Sequence, residues 1–144
     1  MSFTPQTPYL TVDGIIEVYD KSENFKGIVL IERKYPPLGL ALPGGFVDVG
    51  ERVEDALKRE MKEEVSVDIH DVKLLNIYSD PARDKRFHTV SAVYICKTYD
   101  EVRADDDARE AFIVMPDEIT LEQLVFDHKI IIEDYFEVKS LDLA

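Results

Sequence analysis

Residues 44–67 read GGFVDVGERVEDALKREMKEEVSV, and the direction its glutamates face decides how the chain is built. The paired glycines are a poor start for a buried strand. The run that follows favours a helix, with Val53, Ala56, Leu57 and Met61 at spacings of three and four. The pattern predicts a loop running into an amphipathic helix from about Val53 to Val65. At roughly 100° per residue, Val53, Leu57 and Met61 share one apolar stripe while Arg52, Asp55, Arg59 and Lys62 fall on the far side. Glu64 falls inside the stripe, Glu60 at its edge beside Ala56, and Glu63 on the border. A carboxylate aimed at the interior and left ionised without a partner costs several kcal/mol. The cluster therefore calls for a cation, a metal or strong donors.

Outward from this helix, YLTVDGIIEVY (9–19) and GIVLIER (27–33) are rich in Val, Ile and Tyr and flank the polar connector DKSENFK, a pattern suited to a hairpin. KYPPLGLALPGGFVDVGE reads as an exposed loop punctuated by Pro and Gly, with one short apolar piece. VKLLNIY (72–78), HTVSAVYICKTY (88–99) and AFIVM (111–115) read as further strands. From Asp127 to about Val138, the apolar residues Ile130, Ile131, Ile132, Tyr135 and Phe136 suit a second helix, with Asp127 as its N-cap. Strands interleaved with helices suggest an α/β fold, a mixed sheet covered by helices on two faces. At 144 residues with 45% apolar content, one core and a single domain spanning 1–144 are expected.

Thirty acidic residues against seventeen basic ones give a formal charge of −13. That balance argues against a general nucleic-acid or anionic-membrane binder, both of which need a basic surface. A small anionic substrate is compatible with it if metals and a few local cations neutralise the charge. Cys96 is the only cysteine and sits in an apolar alternating run, so it reads as a small core residue in a reducing compartment. The amino terminus lacks the pattern of a signal peptide, and no apolar run approaches the ~20 residues of a membrane span. A soluble, cytoplasmic protein is expected.

Gly45, five residues, Glu51, seven residues, then Arg59-Glu60-Met61-Lys62-Glu63-Glu64-Val65-Ser66-Val67 resembles the Nudix box. In that family a loop–helix–loop binds magnesium, with manganese as a substitute, and hydrolyses nucleoside diphosphates linked to another group. Every box position matches except Ser66, which stands where the family has glycine. The resemblance implies an α/β/α sandwich with a mixed β-sheet between helices. It implies metal ligands at Glu60, Glu63 and Glu64 and at a main-chain carbonyl of Gly44 or Gly45, with Glu63 and Glu64 in the catalytic set. Glu51 and Arg59 are expected to form a structural ion pair. Carboxylates at i, i+3 and i+4 converge on one helical turn and present the hard oxygens that magnesium demands. Beyond the helix either Ser66 takes up a left-handed backbone conformation, at roughly 1 kcal/mol, or the helix ends differently.

Pro81 lies fifteen residues after Ser66, in YSDPARDKRFHTVS. A proline there, and the run around it, resemble the small bacterial and archaeal ADP-ribose pyrophosphatases, which implies cleavage of ADP-ribose to AMP and ribose 5-phosphate. Other nucleotides acted on by the family are the alternative: a nucleoside triphosphate, a dinucleoside polyphosphate or a nucleotide sugar. A sensor that binds ADP-ribose without cleaving it fits less well, because the box acids are intact. Arg83, Lys85 and Arg86 offer cations to phosphate, as do Arg33 and Lys34 at the end of the second strand. Each is either a substrate ligand or part of a solvated basic turn. Tyr35, Phe46 and Tyr78 are either adenine platforms or core aromatics. His88 and His128 read as structural hydrogen-bonders. In the acidic loop ADDDAREA, Asp106, Asp107 and Glu110 are unranked candidates for a further base or ligand, set against a plain solvated loop. Enzymes of this kind usually pair, which implies a homodimer through the amino-terminal strands.

Overall fold

The computed structural model describes residues 2–142. Seven strands form one mixed sheet: β1 (Tyr9–Tyr19), β2 (Phe25–Arg33), β3 (Leu40–Ala41), β4 (Gly44–Phe46), β5 (His70–Tyr78), β6 (Thr89–Thr98) and β7 (Ala108–Val114). The main order is β3-β2-β1-β6-β5, with β4 paired to β1 and β7 to β2. Among the described strands only β1 and β6 pair in parallel, in unbroken register from Tyr9 opposite Thr89 to Val18 opposite Thr98. The two helices are α1 (Val53–Val65) and α2 (His128–Asp142).

The three inner strands are buried on both faces, which explains their nearly continuous apolar runs. On β1, Val12, Ile16 and Val18 face α1 and join Ala56, Leu57, Met61 and Val65. Ile15 faces the other way, with Ile28 and Leu30 of β2, Val93 of β6, and Ile131, Ile132 and Tyr135 of α2. The α/β/α sandwich is therefore two cores sharing one sheet. Gly14 marks how closely α1 lies on β1, since a Cβ there would come 2.8 Å from the Met61 sulfur.

Helix α1 has the expected bounds. Its acidic first turn, Glu54 and Asp55, and its basic last turn, Lys62, complement the helix dipole. It ends at Ser66, which carries φ 64° and ψ 31° and donates its N–H to the Lys62 carbonyl. Serine thus takes the left-handed position that glycine fills more cheaply.

Several elements depart from the sequence pattern. Gly44–Phe46, expected as loop, is a strand, because β1 offers it an antiparallel partner from Thr11 to Asp13. Leu40–Ala41 likewise pairs with β2. Strand β7 begins at Ala108, three residues before the apolar run, and α2 continues to Asp142. The Asp127 carbonyl accepts from the Ile131 N–H at the head of α2. Its carboxylate does not cap the helix and is taken by Arg83 instead.

Candidate active site

Strand β4 carries Gly44 and Gly45 between β1 and α1; the Val12 backbone leaves no room for a side chain at Gly44, and one at Gly45 would displace the Glu60 carboxylate. A Cβ on Gly45 would collide with the Glu60 carboxylate, and one on Gly44 with Asp13 and the Val12 carbonyl. The Gly44 N–H donates to Glu64 Oε2 at 3.2 Å. Main chain and inward acids of α1 therefore meet at one wall of a cleft of about 430 Å³. Its lining includes the acids Asp13, Glu60, Glu64, Asp106 and Asp107 and the cations Arg33 and Arg86.

Arg59 ties the loop to the helix. Its Nε and Nη2 reach the two oxygens of Glu51 at 2.8 and 2.9 Å, in a fork-to-fork pair. Its Nη2 also donates to the Phe46 carbonyl at 3.1 Å, and its Nη1 reaches Glu60 and Glu63 at 2.9 and 3.1 Å. The guanidinium holds the Glu51 carboxyl down at about 2. Glu51 and Arg59 thus occupy the expected pairing.

The three box acids are not equivalent. Glu64 is 4% exposed, and burial pushes its carboxyl up to about 8. Glu60 is half-buried and also raised, by burial, against the pull of Arg59. Glu63 points outward to Arg59, is exposed, and does not line the cleft. Among the described residues no group of three His, Cys, Asp or Glu side chains already converges on one cation position. Arg59 draws Glu60 and Glu63 towards itself. The donor set nonetheless fits a hard divalent cation: Glu60 and Glu64 are partly or wholly desolvated oxygen donors beside a close-packed glycine backbone, in a cleft that Asp13, Asp106 and Asp107 also line.

The loop between β6 and β7 hangs on the carboxyl end of α1. The Arg103 and Asp105 N–H groups donate to the Val65 and Glu64 carbonyls at 3.0 and 2.9 Å. These bonds satisfy helix-end acceptors that would otherwise lack partners. They also bring Asp106 and Asp107 to the cleft, where Lys34 Nζ donates to the Asp106 carbonyl. Glu110 lies beyond them on β7, opposite Glu32, and is exposed and outside the lining.

Of the expected phosphate cations, Arg33 and Arg86 line the cleft, whereas Lys34 and Lys85 do not. Arg83 also lines it, but its guanidinium is committed: two bonds to Asp127 at 2.9 and 2.8 Å and one to Thr89 at 2.6 Å. Its side chain is 4% exposed, so this is an internal ion pair rather than a surface cation. Pro81 opens a short 3₁₀ turn, Pro81–Arg83, that points Arg83 inward; Asp80 caps this turn at the Ala82 N–H. Tyr35 and Phe46 line the cleft. Tyr78 lies elsewhere and donates its hydroxyl to Asp134.

His88 is a surface hydrogen-bonder to the Ser79 carbonyl. His128 lies buried on the cleft floor. Its Nδ1 accepts from the Leu42 N–H at 3.0 Å, leaving the proton on Nε2, which lies 3.9 Å from Asp13. Burial pushes His128 down to about 4, so that contact is not an ion pair. Burial raises Asp13 to about 6 although the Ser91 hydroxyl donates to it. Sequence reasoning missed Asp13, Asp84, Phe126 and the cleft-floor position of His128. For Asp13 a signal existed, an acid inside the apolar strand TVDGII. For Asp84 and Phe126 none did.

A cleft lined by inward carboxylates and by arginines suits an anion held through a divalent cation. The chain belongs to the NUDIX domain family, whose model matches residues 8–135. It is 45% identical over 136 residues to an ADP-ribose pyrophosphatase of Methanocaldococcus jannaschii, covering 92% of this chain and 76% of the relative. Among solved structures it is similar to a MutT/nudix family protein from Enterococcus faecalis. That match has a TM-score of 0.81 and 30% identity, and covers 97% of this chain but 65% of the other. It is also similar to the NUDIX domain of Shewanella oneidensis NrtR in complex with ADP ribose. Here the TM-score is 0.79 and the identity 26%, over 92% of this chain and 88% of that one. Among the described residues no helix is long and apolar enough to cross a membrane.

Proposed function

We propose that this chain hydrolyses the diphosphate bond of ADP-ribose, giving AMP and ribose 5-phosphate, with magnesium as the working ion. The observation that carries the reading is the buried Glu64 and half-buried Glu60, packed on Gly44–Gly45 in a cleft that Arg33 and Arg86 also line. The similarity to an ADP-ribose pyrophosphatase supports the choice of substrate. Glu60, Glu64 and the Gly44 or Gly45 carbonyl would hold the ion, with Glu63 joining when it swings from Arg59. A bound divalent cation supplies charge neutralisation of the diphosphate and acidification of water. Asp106 or Asp107, on the loop capping α1, takes the proton of the attacking water. Glu110 is the weaker candidate, because it lies on β7 outside the cleft.

Arg33 and Arg86 bind non-bridging phosphate oxygens, and Tyr35 or Phe46 stacks on the adenine. Pro81 and Arg83 shape the cleft from behind, through the 3₁₀ turn and the Asp127 pair. A cytoplasmic location fits the single buried thiol, Cys96, which burial holds up at about 12. Exposed Tyr9 and Leu10 on β1 suit a homodimer interface. Light scattering giving a monomer mass at micromolar concentration would end that part of the reading.

A substrate panel tests the function. ADP-ribose, a diadenosine polyphosphate, a nucleotide sugar and a nucleoside triphosphate are each incubated with and without magnesium, and their products are separated. The proposal expects ADP-ribose to give the highest kcat/KM and no turnover in chelator. Faster cleavage of another member of the panel would replace ADP-ribose as the substrate.

A further inference from the structure

Between the 3₁₀ turn Leu121–Gln123 and α2 lies a residue that no motif singles out. Phe126 is half-buried, lines the cleft, and carries φ 57°, a left-handed conformation that is an outlier for a bulky side chain. Such a conformation persists only where the surroundings hold it, and here they hold it against two arginines. The Arg33 guanidinium carbon lies 5.0 Å from the Phe126 ring centroid, and that of Arg86 lies 5.2 Å from it.

Each arginine is also anchored from behind. Arg33 donates its Nε to the Pro37 carbonyl at 2.9 Å. Arg86 gives its Nε and Nη2 to the buried carboxylate of Asp84 at 3.1 and 2.9 Å, and rests over Phe87 as well. Among the described residues, the Nη groups of Arg33 and Nη1 of Arg86 make no hydrogen bond to protein. Two like charges kept close in a cleft repel, and Arg33 records it: burial first, then the Arg86 charge, lowers its pKa. An aromatic face is attracted to both cations, so a shared ring offsets that repulsion in the free protein.

We propose that Phe126 is a positioning residue that holds Arg33 and Arg86 as a preformed two-pronged clamp for a diphosphate, setting affinity for the substrate rather than the rate of bond cleavage. The inference rests on the reading of the cleft as a diphosphate site. Without the ring the two guanidiniums separate, and binding must bring them together again, a cost of lost preorganisation.

Three variants are compared for KM and kcat on ADP-ribose with magnesium, for affinity of the metal-free protein for inorganic pyrophosphate, and for urea stability. Phe126→Leu should raise KM about 5- to 30-fold, the loss expected of two partly exposed cation–π contacts, with kcat changed by less than about threefold. Phe126→Tyr keeps a ring and should restore KM to within about twofold. Phe126→Asn suits the left-handed backbone, so it should fold at least as stably as the wild type yet bind as poorly as the leucine variant. The pyrophosphate affinities should follow the same order. An unchanged KM in Phe126→Leu, or a tyrosine variant as weak as leucine, overturns the proposal. If the wild type does not cleave ADP-ribose, the functional reading falls and the pyrophosphate titration alone decides the clamp. Absence of pyrophosphate binding to the wild type, or equal binding by all variants, then counts against it.

Discussion

Replacing Glu64 by Gln should make the metal-free protein more stable while abolishing its chemistry. Burial raises this carboxyl from 4.5 to about 8. Because the folded value lies above the unfolded one, the protonated form favours the fold. That stabilisation is complete below pH 4.5 and is lost as pH rises through about 8. Glutamine mimics the protonated acid at every pH and can still accept from the Gly44 N–H. Integrating the linkage, the variant's advantage should grow from under about 1 kcal/mol at pH 5 to about 3 at pH 7 and about 4 at pH 8. Asp13 and the other titrating groups are present in both proteins and largely cancel in the difference. The assay is urea unfolding in chelator at these three pH values. Adding magnesium should then stabilise the wild type far more than the variant, since only the wild type gains a full ligand charge. Turnover should fall by at least about a hundredfold. A difference that stays flat with pH, or a variant less stable than the wild type at pH 8, would refute the claim that Glu64 is a strained, metal-directed acid.

Glu60→Gln should likewise lower turnover by about a hundredfold or more while the fold, read by circular dichroism, is kept. Arg83→Ala should cost about 2–4 kcal/mol of stability in denaturant titrations, because it strands the largely buried Asp127 carboxylate; a fully stable variant with a raised KM would restore Arg83 as a direct substrate ligand. Arg86→Ala should raise KM for ADP-ribose roughly tenfold or more with a smaller change in kcat, and a wild-type KM would remove it from the clamp. Ser66→Gly should gain about 0.5–1 kcal/mol in urea unfolding by relieving the left-handed backbone, and a loss of stability would count against that account.

Helix α1 was legible in the sequence to the residue, because a burial pattern of period 3.6 and a set of misplaced acids are both local signals. The two-layer cores were legible for the same reason: strands buried on both faces carry unbroken apolar runs. Strands β3 and β4 were not, since GGF has no strand propensity of its own and becomes a strand only because β1 lies beside it. Arg83 shows the limit for the site. A basic turn of three cations looks uniform along the chain, yet Arg83 is neutralised by Asp127, 44 residues away, while Arg86 stays at the cleft. Phe126 was invisible because its role lies in two contacts with residues distant in sequence. The helical wheel separates Glu63 and Glu64 only in part, with Glu64 inside the apolar stripe and Glu63 on its border. The packing against β4 completes the separation of the buried acid from the one that Arg59 turns outward.

The inward acids of α1 are proposed to serve a metal-dependent cleavage of the ADP-ribose diphosphate. The most direct test is product analysis of ADP-ribose incubated with the wild type and with Glu64→Gln, each with magnesium and with chelator. Equal amounts of AMP and ribose 5-phosphate are expected from the wild type with magnesium, and almost none from the other three samples. Comparable product from Glu64→Gln, or from the wild type in chelator, would contradict this role.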